Sequence, residues 1–405
     1  PSPPSPPWYY SPGCEQARCG PSQKARLGVP WMDRLWVELA LLAASFAVII
    51  AGAELFTNGV EWLGVRLSLS EGAVGSILAA VGTALPETLI PFVALVFFRA
   101  PGSHEVGLGA ILGAPFMLAT LAFFVTAAAA FAYRGRRETG ARLAVNRSVL
   151  SRDLSYFLVM YAIAIGVSFA PAGHLTRWVV AAALVLGYLY YAYLNLRESA
   201  ESEKEEPLMF DLLWVGMALL HPWADRQELH RTRQEVIDNR PPHLRAVGAQ
   251  VVVALLLIVG GAYAFVHATA TLSRLAGFSP LVFALIVAPV ATELPEKLNS
   301  VIWIRQGKDT LSLGNITGAM VFQSTFPVTL GLLLTHWSFG YSPVGRSALL
   351  SAGLAIFSAL LFLGVVRLTR GATISTWTLL AGLVWWLVFF AYTWTTVIAP
   401  GAAHA

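Results

Sequence analysis

"AVGTALPETL" (residues 80–89) returns later in the chain as "PVATELPEKL" (residues 289–298), with Thr83, Leu85, Pro86 and Glu87 matching Thr292, Leu294, Pro295 and Glu296 at an offset of 209. A second echo follows each copy. "GLGAILGA" (107–114) corresponds to "SLGNITGA" (312–319), so that Gly109 and Gly113 match Gly314 and Gly318 at an offset of 205. Both copies lie in stretches apolar enough to cross a bilayer, yet each carries a proline and a carboxylate at mid-depth. A proline inside a helix lacks its own donor and disturbs the carbonyl four residues earlier, at a cost of about 3 kcal/mol. The carbonyls freed here are those of Gly82 and Ala291. Backbone oxygen at membrane depth is tolerated where it lines a cavity or meets an ion, and an adjacent carboxylate adds the negative charge that a cation needs. The repeated segment therefore supplies the parts of a cation site.

Composition sets the solvent. With 56% hydrophobic and 12% charged residues over 405 positions, the chain reads as an integral membrane protein rather than a soluble enzyme. A lipid core roughly 30 Å thick needs about 20 apolar residues per helix. On that measure the spans fall near 35–57, 70–98, 105–132, 154–170, 176–196, 246–273, 279–304, 309–335, 347–367 and 373–398. No alternating strand pattern appears, so an all-α bundle is expected over a barrel.

The spans group as a first five-helix repeat (35–196) and a second (246–399), joined by a polar loop (197–245) and preceded by a proline-rich tail (1–34) expected to be disordered. Because each unit holds five spans, the second enters the membrane with opposite polarity, giving ten helices in two inverted repeats with the second and seventh helices broken. Inverted repeats are how many secondary transporters build a central site with two alternative exits. Met32 is a candidate natural start. Cys14 and Cys19, the only cysteines, lie in the tail with nothing to staple.

The loop at 134–153 carries six arginines and is placed inside by the preference of basic residues for the cytoplasm, which puts both termini outside. The net charge of +4 follows from this topology and gives no argument for a nucleic-acid partner. Within the central loop, "EPLMFDLLWVGMALLHPW" (206–223) is too short to span but suits the membrane interface. His221, His230 and His243 nearby lack a zinc spacing.

The two units resemble the α-repeats of the cation/calcium antiporter superfamily, whose sodium/calcium exchanger branch carries G-T-S-L-P-E in the second and seventh helices and G-N-x-x-G-S-N-x-x-N in the third and eighth. The resemblance covers about residues 45–130 and 255–335. It implies a cation antiporter in which Glu87 and Glu296 correspond to the motif glutamates, with Thr83 and Thr292 in the ligand-bearing turn. The departures matter too. The motif serine after threonine is replaced by Ala84 and Glu293, and the serine of the other motif by Ala114 and Ala319. Pro115 and Met320 stand at the following asparagine, and Leu118 and Gln323 where asparagine or aspartate is usual. Calcium prefers six to eight oxygens, so a four-site arrangement like the family's does not carry over intact.

Glu293 and Lys297 are four apart and on a regular helix would share a face, although Pro295 lies between them. Two roles stay open for Lys297: a fixed ion pair with Glu293, or a tethered cation occupying part of the site when no metal is bound. With Glu87, Glu293, Glu296 and Lys297 ionised the local charge is −2, and one retained proton makes it −1. Either value favours a single divalent ion, or sodium plus a proton. The candidate cation-binding set is thus Glu87, Glu296, Thr83, Thr292, Gly82, Ala291, Glu293 and Gln323, with Lys297 as coupling or counter-charge.

Other polar residues are weaker candidates. Glu54, Asn58 and Glu61 suit either an inner vestibule or interfacial solvation, and His267 suits a satisfied polar contact between helices better than a ligand. "HEVGL" (104–108) has Leu108 where a zinc-protease helix needs its second histidine, and neither a phosphate loop nor G-x-S-x-G is present. The expectation is a secondary active antiporter of the plasma (inner) membrane. It needs no cofactor and exchanges Ca2+ or a related cation for Na+ or H+ by alternating access. The alternatives are Na+/H+ exchange without Ca2+, and a transport-dead cation-binding sensor or scaffold.

Overall fold

The computed structural model describes residues 31–66, 80–98, 100–169, 173–199, 244–371 and 373–399. The proline-rich tail with both cysteines, the central loop with its interfacial segment and three histidines, and the start of the second span lie outside the described residues.

The first half contains α1 (Trp31–Arg66), α2 (Ala80–Phe92), α3 (Ser103–Met117), α4 (Phe123–Ala132), α5 (Arg147–Gly166) and α6 (His174–Ser199). The second contains α7 (Leu244–Leu275), α8 (Pro280–Thr292), α9 (Leu294–Arg305), α10 (Asp309–Gln323), α11 (Phe326–Leu334), α12 (Pro343–Leu368) and α13 (Trp377–Thr393). Among the described residues, eight helical stretches are long and apolar enough to cross a membrane, and Pro86–Phe97 and Pro280–Val290 are shorter apolar helices. The protein is an all-α membrane protein. Its one described sheet is a two-residue antiparallel ladder, β1 (Leu143–Ala144) on β2 (Thr373–Ile374), that ties the loop before α5 to the loop before α13.

Matching prolines are used in different ways. Pro295 sits in the first turn of α9, where its missing N–H costs nothing, so α8 stops at Thr292 and a new helix begins after Glu293. Pro327 likewise starts α11 beyond the break at Ser324 and Thr325. In the first half Pro86 and Pro91 lie within α2, which runs on through both and then widens into a π turn (Val93–Phe97) closed by Phe98 N–H to the Val93 carbonyl at 2.9 Å. Pro115 lies within α3, again followed by a π turn (Leu118–Ala122). The seventh span is therefore broken at the motif, whereas the described part of the second continues through it. The fourth span also starts earlier than hydropathy indicates. Asn146 caps α5 by accepting from Ser148 N–H and Val149 N–H, which brings Arg152 and Asp153 into the helix.

Several helix pairings recur when the halves are exchanged. α5 packs on α10 as α12 packs on α3, α6 on α11 as α13 on α4, and α9 on α4 as α2 on α11. α1 with α7, and α5 with α12, are each their own counterpart. The α1–α7 crossing shows the same exchange at single residues. A Cβ on Gly52 would meet Ile258 Cγ1 at 2.8 Å, and one on Gly261 would meet Ile49 Cγ1 at 2.8 Å. Gly52 and Gly261, like Ile49 and Ile258, are 209 apart.

Close backbone approach also fixes α3 on α8. A Cβ on Gly109 would lie 2.3 Å from the Leu281 carbonyl oxygen, and one on Gly113 would lie 2.3 Å from that of Leu285 and 2.7 Å from Pro289 Cγ. Small residues four apart let helices touch where lipid offers no hydrophobic drive to association. Gly113→Ala is expected to cost about 1–3 kcal/mol through overpacking. The measurement is the thermal unfolding midpoint of the detergent-solubilised protein, and an unchanged midpoint would refute this packing.

Candidate functional site

The break between α8 and α9, the middle of α2 and the end of α10 converge. Glu87 on α2, Glu293 at the break and Glu296 in the first turn of α9 are buried, at 5%, 0% and 4% exposure. Gln323, the last residue of α10, is buried as well. The charges of Glu87, Glu293, Glu296 and Lys297 lie within electrostatic reach of one another.

Oxygen dominates the unpaired atoms here. Both carboxylate oxygens of Glu87, Oε2 of Glu293, Oε2 of Glu296 and Oε1 of Gln323 are buried without a hydrogen-bond partner. Buried acceptors are normally paired, because leaving one bare costs about 1–3 kcal/mol and more for a charged group. A group of bare oxygens in one region is the chemistry of a hard-cation site. Among the described residues, no three Asp, Glu, His or Cys side chains form a metal-holding group. The acids thus share one region and one field without being drawn into a closed cage.

The expected Glu293–Lys297 ion pair is not formed. Glu293 lies at the break, and its Oε1 accepts from Gln323 Nε2 at 2.8 Å. Lys297 Nζ turns back to donate to the Pro289 carbonyl at 3.3 Å. Glu293 caps α9 and its carbonyl accepts from Lys297 N–H at 3.2 Å, so the two residues stay one turn apart while their side chains go to different partners. Thr292, the last residue of α8, donates its hydroxyl to the Ala288 carbonyl at 3.2 Å, and Ala291 precedes it. Gly82 and Thr83 lie in the first turn of α2. The site-bearing helices α9 and α10 are pinned by a reciprocal pair, Ser300 Oγ to the Ser312 carbonyl at 3.2 Å and Ser312 Oγ to the Ser300 carbonyl at 3.1 Å.

The weaker candidates are held elsewhere. Asn58 Oδ1 accepts from Gln250 Nε2 at 3.0 Å, which bridges α1 and α7, and Glu54 is exposed on α1. His267 Nε2 lies 3.7 Å from Glu38 Oε1, an interhelical polar contact.

Two buried polar clusters had no motif to announce them. Asp153 on α5 accepts from Tyr191 Oη of α6 at 2.9 Å and from Thr317 Oγ1 of α10 at 2.7 Å. Arg137 forms a two-pronged pair with Asp309, at 2.7 Å for each prong. The available signals were a lone acid beside an apolar run and an acid in the first turn of α10. Both position the helices that carry the site rather than entering it.

Residues 37–197 and 247–398 match the sequence model of the sodium/calcium exchanger protein family. The chain is 23% identical over 341 residues to a putative antiporter, CaxA, of Alkalimonas amylolytica, covering 82% of this chain and 92% of that protein. It is 22% identical over 319 residues to the inner membrane protein YrbG of Escherichia coli, covering 73% and 79%. Its fold is similar to the crystal structure of an H+/Ca2+ exchanger, CAX, at a TM-score of 0.61 and 18% identity, covering 93% of this chain and 90% of that one. With the family matched over both halves, the chain belongs to the sodium/calcium exchanger family and is an integral membrane transporter, not an enzyme.

Proposed function

We propose that the protein exchanges Ca2+, or a closely related divalent cation, for Na+ or H+ by alternating access to one central site. Glu87 and Glu296 carry the charge that binds the cation. Thr83, Thr292, the Gly82 and Ala291 carbonyls, Glu293 Oε2 and Gln323 Oε1 complete an oxygen shell, and water fills what remains. The observation that carries this reading is the set of five buried side-chain oxygens without partners, drawn from α2, α9, α10 and the α8–α9 break. Competing ions or protons occupy the same acids in turn, so each cation leaves when another arrives. Residues 35–196 and 246–399 act as repeats of opposite membrane polarity, a reading supported by the helix pairings that recur on their exchange. Both termini face outward and the bilayer is the plasma (inner) membrane, in keeping with the printed name of the Escherichia coli relative.

Reconstituted vesicles test the function. Ca2+ uptake driven by an outward Na+ or H+ gradient is expected, with no requirement for ATP. Gradient-coupled Na+ and H+ flux without Ca2+ would replace this reading with monovalent exchange. Cation binding without flux of any of these ions would make the protein a sensor.

A further inference from the structure

The two halves are not equally polar at the motif. Where the second half has Glu293 and Lys297, the first has Ala84 and Thr88, and where the second has Gln323 the first has Leu118. An acid, a base and an amide have been added to one repeat only, and the fold gathers them at one helix break. A salt bridge is the simplest use of an acid and a base one turn apart, but the geometry is different. The Glu293 carboxylate is engaged by Gln323, and the Lys297 ammonium is anchored by the Pro289 carbonyl. From there it acts electrostatically on Glu87, Glu293 and Glu296 together. Its relation to the site is that of a monovalent ion seated on a backbone carbonyl among carboxylates, except that it cannot leave.

We propose that Lys297 is a covalently tethered monovalent cation that sets the ion count of the pocket, so that one divalent cation binds without a monovalent companion. This rests on the exchanger reading above. Glu87, Glu293 and Glu296 contribute three negative charges when ionised and Lys297 one positive, leaving two for a divalent ion to balance. Without the ammonium, the same bound state is one charge short and recruits Na+ or H+ alongside the divalent ion. That difference of one holds whatever number of protons the acids retain. Selectivity for a lone divalent ion thus resides in a side chain that need not touch it.

The test is Ca2+ binding to the purified full-length protein. The count is made in the Ca2+-saturated state, where Na+ retained in equilibrium dialysis and carboxyl groups that stay protonated by their infrared absorption together give the number of monovalent cations held with each Ca2+. Relative to wild type, Lys297→Gln is expected to bind about one more monovalent cation per Ca2+, and Lys297→Arg to leave the number unchanged. The double variant Glu293→Gln/Lys297→Gln returns to the wild-type number. An unchanged number in Lys297→Gln, or a double variant matching Lys297→Gln, overturns the proposal. Should Lys297→Gln fail to fold, Lys297→Met is expected to show the same gain of about one cation, and no gain there is equally fatal. Loss of the Glu87-dependent Ca2+ binding in the wild type would remove the exchanger reading and this inference together. Ca2+ binding with no change of count removes the inference alone.

Discussion

Glu87→Gln and Glu296→Gln are each expected to weaken Ca2+ binding about a hundredfold or more, and the double variant to abolish it. Glutamine keeps the shape and an oxygen donor, so the change isolates charge. At an effective dielectric constant near 20, a unit charge about 4 Å from a divalent ion contributes roughly 8 kcal/mol of Coulomb energy before solvation offsets it. A net loss of about 3 kcal/mol, roughly a hundredfold, keeps less than half of that. Near-equal effects are expected because Glu87 and Glu296 are repeat equivalents, both buried, each with bare oxygen. Glu293→Gln should cost less, since one of its oxygens is already held by Gln323. The same substitutions carry an opposite signature on stability. Burying a neutral amide is cheaper than burying a carboxylate with neither oxygen paired, so Glu87→Gln should raise the thermal midpoint in cation-free buffer. Calorimetric Ca2+ titration and thermal unfolding on the same preparation check both signs. A Glu87→Gln protein that binds Ca2+ as wild type does would refute the site.

How much of this was legible beforehand differs between fold and site. The repeat at offset 209 and the apolar spans gave the order of the helices, because lipid demands long apolar segments and a duplicated motif is visible in one sequence. The behaviour of each proline was not legible. Thr-x-Leu-Pro-Glu starts a helix at Pro295 and lies inside one at Pro86, so the motif by itself does not fix where the helix ends. The acids were readable as charges stranded in apolar sequence, and the structure gathers Glu87, Glu293 and Glu296 in one region. Of the two roles the sequence leaves open for Lys297, the ion pair with Glu293 is not the one seen: the backbone turn between them is kept, but partners distant in sequence or across the break, Gln323 and the Pro289 carbonyl, take the two side chains. Asp153, Arg137 and Asp309 escaped because their partners lie on other helices, and long-range polar pairing leaves no local pattern.

Arg137→Met is expected to be among the most destabilising single changes in the protein, at about 3–5 kcal/mol, because it strands a buried carboxylate. The Arg137 and Asp309 side chains are each 1% exposed. Nη1 donates to Asp309 Oδ1 and the Ile304 carbonyl, Nη2 to Asp309 Oδ2, Thr139 Oγ1 and the Arg142 carbonyl, and Nε to the Gly140 carbonyl at 3.0 Å. Asp309 Oδ2 also accepts from Ala144 N–H at 2.8 Å. Every guanidinium donor is used, so Arg137→Lys, which keeps the charge but loses the planar fork, should recover only part of the loss. Exchanging both partners for apolar residues removes the bare charge but leaves the carbonyls of Ile304, Gly140 and Arg142 without their donor. Arg137→Met/Asp309→Leu should therefore be more stable than Arg137→Met and less stable than wild type. A thermal-unfolding double-mutant cycle measures this, and a single variant within about 0.5 kcal/mol of wild type would refute the clamp. The consequence extends to binding. Ile304 is at the end of α9 and Asp309 at the start of α10, the helices that carry Glu296 and Gln323. Arg137 reaches them from the first half, so it fixes their separation at one membrane face while Ser300 and Ser312 fix it deeper in. At a temperature where Arg137→Lys remains folded, its Ca2+ affinity should still fall severalfold, because a looser α9–α10 turn spreads the oxygens that must meet on one ion.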